Sequence, residues 1–249
     1  MTSWEEMRQQ GEAQNIVAPS QISTPTALVK RLTCARCERA QSGCICKWIT
    51  PTASATEVLI LQHPMEVRHA KGSARLLSFS LINCRIEVAE TFEPAKLLQL
   101  LTAPWLAAAS ARRQPILLYP SPPKNAAGFH PIQTTLRPEQ YAYPAQLRLV
   151  VIDASWRKSR KMLYANPLLQ NLKRLQLDQI PESKYRIRKA QHADQLSTFE
   201  ATCAALMQLE GLNPAFEVLL AGFEGFVQQL AEQLTQPHIL PTASIEPAF

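Results

Sequence analysis

The 249-residue sequence predicts an α/β protein in which helices cover both faces of a mostly parallel sheet. Two observations support this prediction. The candidate strands are short, continuous apolar runs, which is the pattern of strands buried on both of their faces. These runs alternate along the chain with segments of helical period, which is the order typical of parallel α/β folds. An N-terminal cluster of cysteines adds a small zinc-binding segment to the predicted fold.

Five segments are predicted to be strands, and most of them end in a polar turn or a proline. In chain order they are Glu57–Gln62, Cys84–Val88, Gln114–Tyr119, Leu147–Asp153 and Leu172–Leu177. Five further segments carry apolar residues at helical spacing. These predicted helices are Ser73–Ile82, Pro94–Leu101, Arg157–Tyr164, Thr198–Leu209 and Phe216–Leu234.

Four regions are expected along the chain. Residues 1–30 are rich in Gln, Ser, Thr and Pro and lack a sustained apolar period, which predicts a disordered tail. Residues 31–50 are expected to form the cysteine-rich zinc-binding segment, and residues 51–235 the α/β catalytic domain. Residues 236–249 are expected to be a loose C-terminal tail. Within the domain, the Pro-rich residues 121–145 predict a long irregular loop.

The sequence favours a cytoplasmic protein that does not associate with membranes. No segment approaches the roughly 18 consecutive apolar residues of a membrane-spanning helix. The first residues also lack the apolar run of a signal peptide, because Glu5, Glu6 and Arg8 follow at once. Disulfides rarely persist in the cytoplasm, so the six cysteines are candidates for metal binding or burial.

Positive charge is concentrated in one part of the chain. The net charge of +6 is compatible with a generic basic protein. Between Asp153 and Lys189, however, ten Lys or Arg residues face only three acidic residues. Such a patch suits RNA, because the release of counterions favours phosphate binding. A Gly-rich phosphate loop is missing from the sequence, which argues against a nucleotide hydrolase.

Four cysteines have a spacing that fits a metal site. They are Cys34, Cys37, Cys44 and Cys46, in the pattern C-x2-C-x6-C-x-C. Four thiolates can close a tetrahedron around Zn²⁺, and such a site is structural because it leaves no open coordination position. The alternative is that these are unrelated buried cysteines. Cys84 and Cys203 are isolated on apolar elements and are expected to lie in the core.

Polar residues follow several predicted strands, where open α/β sheets bind their ligands. These turns are His63–Glu66, Tyr119–Ser121 and Asp153–Trp156. A fourth polar segment starts a helix, where Ser197 or Thr198 can cap and Glu200 lies near the capping-box position. That helix start offers N–H groups to an anionic ligand. Each turn also has a plain structural interpretation: Asp153 as a helix cap, for example, or Trp156 as a core aromatic.

Together these motifs resemble the DTW-domain family. The matching segments are Cys34-x2-Cys37-x6-Cys44-x-Cys46, Gln62-His63-Pro64-x-Glu66, Leu117–Ser121, Leu149–Met162, Tyr185-x-Ile187-Arg188 and Leu196–Ala201. Their order and spacing match the family from about residue 31 to residue 210. Two positions depart from the pattern. Ser155 stands where the name-giving Asp-Thr-Trp usually has Thr, and Gly72-Ser73 stands where Thr is common. Both changes keep a hydroxyl group.

The resemblance implies a tRNA-uridine aminocarboxypropyltransferase. Such enzymes move the 3-amino-3-carboxypropyl group of S-adenosylmethionine onto N3 of a tRNA uridine and release 5′-methylthioadenosine. Bacterial members modify position 47, which is the uridine expected here, whereas eukaryotic members modify position 20. The implied fold is similar to the SPOUT methyltransferases, with a knotted C-terminal half. The sequence is compatible with a monomer and with a homodimer.

The site residues can be assigned by role on this basis. Asp153 is the candidate general base for uridine N3, or else the group that holds the amino group of the substrate. The candidates for binding S-adenosylmethionine are Leu118, Tyr119, Pro120, Ser121, Ser155, Trp156, Arg188, Ser197, Thr198 and Glu200. The candidates for binding the uridine or the RNA are His63, Glu66, Arg75, Arg157, Lys158, Arg160 and Lys161. Two other functions stay open: a SPOUT-type RNA methyltransferase and a zinc-containing RNA-binding protein without catalysis.

Overall fold

The computed structural model of the chain describes residues 32–105, 111–120, 143–177 and 196–235. The two predicted tails and most of the predicted Pro-rich loop lie outside these ranges. Spatial clustering divides the chain into two units, Met1–Leu32 and Thr33–Phe249. All elements described below belong to the second unit.

The sheet has five parallel strands. They are β1 (Glu57–Gln62), β2 (Cys84–Val88), β3 (Gln114–Leu118), β4 (Leu147–Asp153) and β5 (Lys173–Leu175), in the spatial order β2-β1-β4-β3-β5. Every neighbouring pair is parallel. The predicted mostly parallel sheet is therefore confirmed, and the bounds of β1, β2 and β4 are those expected from the sequence. The last strand is shorter than predicted.

Six helices connect or follow the strands in the described ranges. They are α1 (Ala74–Ser80), α2 (Pro94–Thr102), α3 (Trp156–Ala165), α4 (Pro167–Gln170), α5 (Thr198–Glu210) and α6 (Pro214–Thr235). Five of them were expected from the apolar spacing. The short α4 was not, because Asn166-Pro167 suggests the end of a helix. Pro167 instead starts a new one, since proline is well tolerated in the first turn.

Helices cover both faces of the sheet because successive side chains of a strand point to opposite faces. On β1, Val58 and Ile60 belong to one buried cluster with α1, α5 and α6. Leu59 and Leu61 belong to a second cluster with α2, α3 and α4. Burying each of these side chains contributes about 1.5–3 kcal/mol. A strand buried on both sides has no polar face, which is why its sequence is apolar without interruption.

The strand register aligns the carboxyl ends of three neighbouring strands. Gln62 of β1 lies beside both Val88 of β2 and Asp153 of β4. On the other side of β4, Leu118 pairs with Val151, so β3 ends two residues earlier. The polar residues that follow these strands therefore share one edge of the sheet, which we call the carboxyl edge. The opposite edge, where the strands begin, is the amino edge.

A buried charged cluster lies at the amino edge. Arg148 of β4 is fully buried and donates two hydrogen bonds to the Glu57 carboxylate at the start of β1. The Nε atom of Arg113 lies 3.0 Å from the other oxygen of Glu57. The Arg148 guanidinium also lies 4.3 Å from the centre of the Trp105 ring. This cluster fixes the first residues of the central strands to each other.

The cysteine segment packs on α6. The Trp48 indole N–H donates to Gln229 at 2.7 Å, and the Gln229 amide donates to the Cys44 carbonyl at 3.0 Å. Glycine is required at position 225, because a Cβ there would lie 2.1 Å from the Trp48 ring. Of the helices in the described ranges, none has the length and apolar content that crossing a membrane requires.

Candidate active site

The Asp153 carboxylate is held in place at the centre of the carboxyl edge. The Gln62 amide donates to one of its oxygens at 2.8 Å, and the Thr198 hydroxyl donates to the other at 2.6 Å. Asp153 is only 9% exposed. The carboxylate thus joins the ends of β1 and β4 to the start of α5. Its interpretation as a helix cap is wrong, because Ser155 occupies the N-cap position of α3.

The start of α5 forms the second wall of the site. Ser197 accepts from the Glu200 N–H, and the Glu200 carboxylate accepts from the Ser197 N–H, which confirms the predicted capping box. The positive end of the helix dipole therefore lies beside the Asp153 carboxylate, because Thr198 is the first residue of the helix. Thr198, which directly follows the N-cap residue Ser197, makes this contact through its hydroxyl group.

His63 lies beside Asp153 and is also buried. Its Nδ1 atom accepts from the Met65 N–H at 3.2 Å, so Nε2 carries the proton that is donated to Glu90 at 2.9 Å. The second oxygen of Glu90 lies 2.5 Å from the Lys161 ammonium group. Hydrogen bonds from Lys161 and then from His63 lower the pKa of the Glu90 carboxyl below its usual value. The ring of His63 is therefore fixed in both orientation and tautomer.

The basic run on α3 divides into two sets. Lys158 pairs with Glu66 at 2.8 Å, as Lys161 does with Glu90. Arg157 and Arg160 are exposed and form no ion pair with any described residue. The two lysines thus stabilise the edge of the sheet, whereas the two arginines project their charge to solvent.

Two aromatic rings meet at the end of β3. The rings of Tyr119 and Trp156 are packed edge to face with centroids 5.7 Å apart. The Ser159 hydroxyl donates to the Trp156 carbonyl at 3.0 Å, so the Tyr119 hydroxyl is the donor to Ser159 at 3.1 Å. The guanidinium group of the buried Arg174 lies over the Tyr119 ring and donates to the Pro120 carbonyl at 2.6 Å. The backbone after Leu118 is therefore held tightly.

The described contacts of Arg75 connect it to the cysteine segment. Arg75, near the start of α1, pairs with Glu38 of the cysteine segment at 2.5 Å and lies over the Phe79 ring. Ser121 and Arg188 lie outside the described residues.

Three residues of the site were not predicted from the sequence. Gln62 is part of a quoted motif, but only the strand register shows that it holds Asp153. Glu90 follows β2 by two residues, so its position after a strand end was a signal that could have identified it. Arg174 lies inside β5, and nothing in the local sequence links it to Pro120.

The four clustered cysteines have the geometry of a tetrahedral metal site. Their sulfur atoms all lie within 4.8 Å of one another. The Cys34–Cys46 and Cys37–Cys44 sulfur pairs are 3.6 and 3.7 Å apart. Four sulfurs at about 2.3 Å from Zn²⁺ would be about 3.8 Å apart, so the cluster fits zinc. Hydrogen bonds from the backbone of Cys37 and Arg36 lower the pKa of Cys34 to about 6, whereas burial raises the pKa of Cys46 to about 12.

The DTW domain family matches residues 31–231 of the chain, a range that contains the cysteine cluster and every described element of the site. The chain belongs to this family. The Leu149–Met162 segment, which carries Asp153, is thus part of a family domain that spans most of the protein.

Several named relatives are similar to the chain. A protein of Macaca fascicularis named tRNA-uridine aminocarboxypropyltransferase 2 is 28% identical over 195 residues, which are 77% of this chain and 61% of that protein. The protein of the same name in Drosophila melanogaster is 26% identical over 73% of this chain and 68% of its own length. An Arabidopsis thaliana protein named tRNA-uridine aminocarboxypropyltransferase A is 29% identical over 56% of this chain and 53% of its own length. No solved structure matches the chain.

Proposed function

We propose that this protein transfers the 3-amino-3-carboxypropyl group of S-adenosylmethionine to N3 of a tRNA uridine, at position 47. The main support is the name shared by the relatives, since the similarity to the Macaca protein covers 77% of this chain. The chain spans 61% of the length of that relative, so the activity is carried over as a proposal. The held carboxylate at the carboxyl edge provides a site for this chemistry.

The proposed reaction is a displacement at the γ-carbon of the methionine moiety. Uridine N3 loses its proton and attacks that carbon, and the bond from the carbon to the sulfonium sulfur breaks. The bonding electrons go to sulfur, which leaves as the neutral thioether of 5′-methylthioadenosine. The same sulfonium also carries a methyl group, so the protein must orient the γ-carbon, and not the methyl carbon, toward N3.

In this proposal Asp153 accepts the N3 proton. Both of its oxygens already accept one hydrogen bond from the protein, and each oxygen keeps lone-pair capacity for a further one. A positioned general base typically contributes about 10²–10⁴-fold to the rate. The alternative role is to hold the ammonium group of the donor. Loss of a base lowers kcat, whereas loss of an anchor also raises KM for S-adenosylmethionine.

The remaining site residues are assigned to the two substrates. Backbone groups of Leu118–Ser121, Ser155 and Trp156 are proposed to hold the adenosine. Ser197 and Thr198 at the start of α5 are proposed to hold the carboxylate of the donor together with Arg188, because a helix N-terminus binds anions. Glu200 is proposed to contribute to the same site by fixing that helix start through its bond to the Ser197 N–H. The residues proposed to face the uridine or the RNA are His63, Glu66, Arg75, Arg157, Lys158, Arg160 and Lys161.

Zinc is proposed to have a structural role. Cys34, Cys37, Cys44 and Cys46 would bind the ion with four thiolates and would close the segment of residues 31–50. Such a site supplies folding free energy and leaves no position for a substrate. A chelator is expected to remove one zinc per chain, measured by atomic absorption. A protein purified with no metal, and unchanged in thermal stability when zinc is added, would contradict this assignment.

Two finer features of the fold also remain proposals. We assign residues 51–235 to the catalytic domain, and we expect its C-terminal half to be knotted like that of the SPOUT methyltransferases. The support is the family resemblance together with the strand order, in which β4 lies between β1 and β3. A crystal structure that traces residues 178–195, between β5 and α5, would decide whether the chain threads through a loop.

The decisive experiment is a product assay on unmodified tRNA. We expect that wild-type protein with S-adenosylmethionine yields 5′-methylthioadenosine and a uridine that carries the aminocarboxypropyl group, identified by mass spectrometry of the digested RNA. Asp153→Asn protein with a wild-type circular dichroism spectrum is the matched control and should form both products far more slowly. A methylated base would favour a SPOUT-type methyltransferase instead. Tight tRNA binding without any product would favour a non-catalytic RNA-binding protein.

A further inference from the structure

One face of α3 presents two aromatic rings and an arginine to solvent. Trp156, Arg160 and Tyr164 are spaced four residues apart and therefore lie above one another on the helix. Trp156 is 50% exposed and Tyr164 is 65% exposed. Buried residues of the same helix, such as Met162 and Leu163, face the sheet. We call this exposed row the α3 stripe.

The α3 stripe lies in a strongly positive environment. The helix Trp156–Ala165 contains four Lys or Arg residues and no acidic residue. Lys158 and Lys161 are compensated by carboxylates from neighbouring loops. The charges of Arg157 and Arg160 are not balanced by an acidic group anywhere in the described ranges. An apolar protein partner would leave these arginines without compensation, whereas a polyanion compensates them.

The α3 stripe is continuous with the candidate active site. Trp156 follows the Asp153 strand end by three residues, and its ring packs against Tyr119 at the end of β3. From Trp156 to Tyr164 the helix rises about 12 Å. A chain of nucleotides whose uridine reaches Asp153 can therefore continue along the stripe without leaving the protein surface.

We propose that the α3 stripe binds unpaired nucleotides next to the target uridine. In this inference, which rests on the proposed function, the rings of Trp156 and Tyr164 stack on bases and Arg160 binds a phosphate between them. Aromatic rings can stack only on bases that are splayed out of a duplex, and each such contact tolerates any base. The stripe is therefore expected to bind a single strand more tightly than a duplex.

The test compares a single strand with a duplex. Fluorescence anisotropy measures the binding of a labelled oligouridylate of about ten nucleotides, and of an RNA duplex of equal length, at one salt concentration. Tyr164→Ala is expected to weaken oligouridylate binding by about 5-fold to about 150-fold, and to leave duplex binding unchanged. Tyr164→Phe keeps the ring and should bind like the wild type. Arg160→Ala should lower the salt dependence of oligouridylate binding by about one phosphate contact.

Two variants at the amino edge serve as matched controls. Tyr143 is 68% exposed, and Arg112 is exposed just before β3. Tyr143→Ala and Arg112→Ala remove the same chemical groups at the far end of the strands, so they should leave oligouridylate binding unchanged. The inference is overturned if Tyr164→Ala binds the oligouridylate as tightly as the wild type. It is also overturned if Tyr164→Ala weakens strand and duplex equally.

The assay of tRNA modification separates this inference from the proposed function. A wild-type protein that makes the modified uridine, with an unchanged KM for tRNA in Tyr164→Ala, would overturn the role of the stripe and leave the transferase intact. A protein that forms no product, and yet binds oligouridylate through Tyr164, would retain the stripe and refute the transferase.

Discussion

Each edge of the sheet holds a buried carboxylate, but the two carboxylates differ in the charge of their hydrogen-bond partners. At the amino edge, Glu57 contacts the guanidinium groups of Arg148 and Arg113. At the carboxyl edge, Asp153 accepts only from the neutral amide of Gln62 and the neutral hydroxyl of Thr198. Within the described ranges, no cationic side chain forms an ion pair with Asp153.

The difference separates a charge that holds strands together from one that we propose to be functional. The charge of Glu57 is compensated by Arg148 and Arg113, so the amino-edge cluster holds the strands together. The charge of Asp153 is oriented but not neutralised, and it is available to a proton or to a cationic group of a substrate. Four variants, ordered by expected effect, test whether the two carboxylates are different in this sense.

The largest effect is expected from Asp153→Asn. The amide keeps the shape of the side chain and removes its charge, so transfer to tRNA should fall by about 10²–10⁴-fold while the fold is retained. Single-turnover rates and the circular dichroism spectrum measure the two quantities. Transfer at the wild-type rate would show that the charge of Asp153 has no part in the reaction.

Glu57→Gln should act on stability and not on chemistry. It leaves the buried Arg148 without its carboxylate, which costs about 3–5 kcal/mol of unfolding free energy. Denaturant unfolding measures this loss. The control is Glu87→Gln, because Glu87 forms an exposed pair with Lys96 and should cost at most about 1 kcal/mol. An equally small loss for both variants would contradict the structural role of the amino-edge cluster.

Thr198→Val removes one of the two donors to Asp153. A carboxylate oxygen left without its hydroxyl partner costs about 1–3 kcal/mol of unfolding free energy. Thr202→Val is the matched control on the same helix, since its hydroxyl bonds only the backbone carbonyl of Thr198. If the two variants are equally stable, the carboxyl edge does not depend on the contact between Asp153 and α5.

The smallest effect concerns acid stability. Contacts with Lys161 and His63 lower the pKa of Glu90 below its usual value of 4.5. Because the folded state favours the charged form, the stabilisation is present above about pH 4.5 and disappears as the pH falls through the lowered pKa. Glu90→Gln should therefore unfold more easily than the wild type at pH 6. The two proteins should converge as the pH falls through the lowered pKa of Glu90, and a difference that stays constant as the pH falls would refute the prediction.

The sequence predicted the strands better than it predicted the partners of their side chains. β1 and β4 were delimited correctly because each is a continuous apolar run between polar turns. Asp153 and His63 were placed at one site because parallel strands end at the same edge of the sheet. Thr198 was added because it lies at a helix start, where free N–H groups can bind an anion. These conclusions need only local patterns and one rule of topology.

The contacts that distinguish the two edges depend on the strand order. Gln62 reaches Asp153 only because β4 inserts beside β1, although 91 residues separate the two side chains. Arg148 interrupts an otherwise apolar run, and its carboxylate partner is likewise 91 residues away along the chain. Register between strands that are distant in sequence is set by packing of the whole sheet, which no local pattern encodes.

The packing of Trp48 on Gly225 has a consequence for the order of synthesis. The two residues that fix this indole, Gly225 and Gln229, belong to α6, and 181 positions separate Trp48 from Gln229. The cysteine segment thus leaves the ribosome long before its docking surface exists. Until α6 emerges, only local contacts, and the zinc ion that we propose, can organise it. Docking of the cysteine segment therefore waits until α6 has been synthesised.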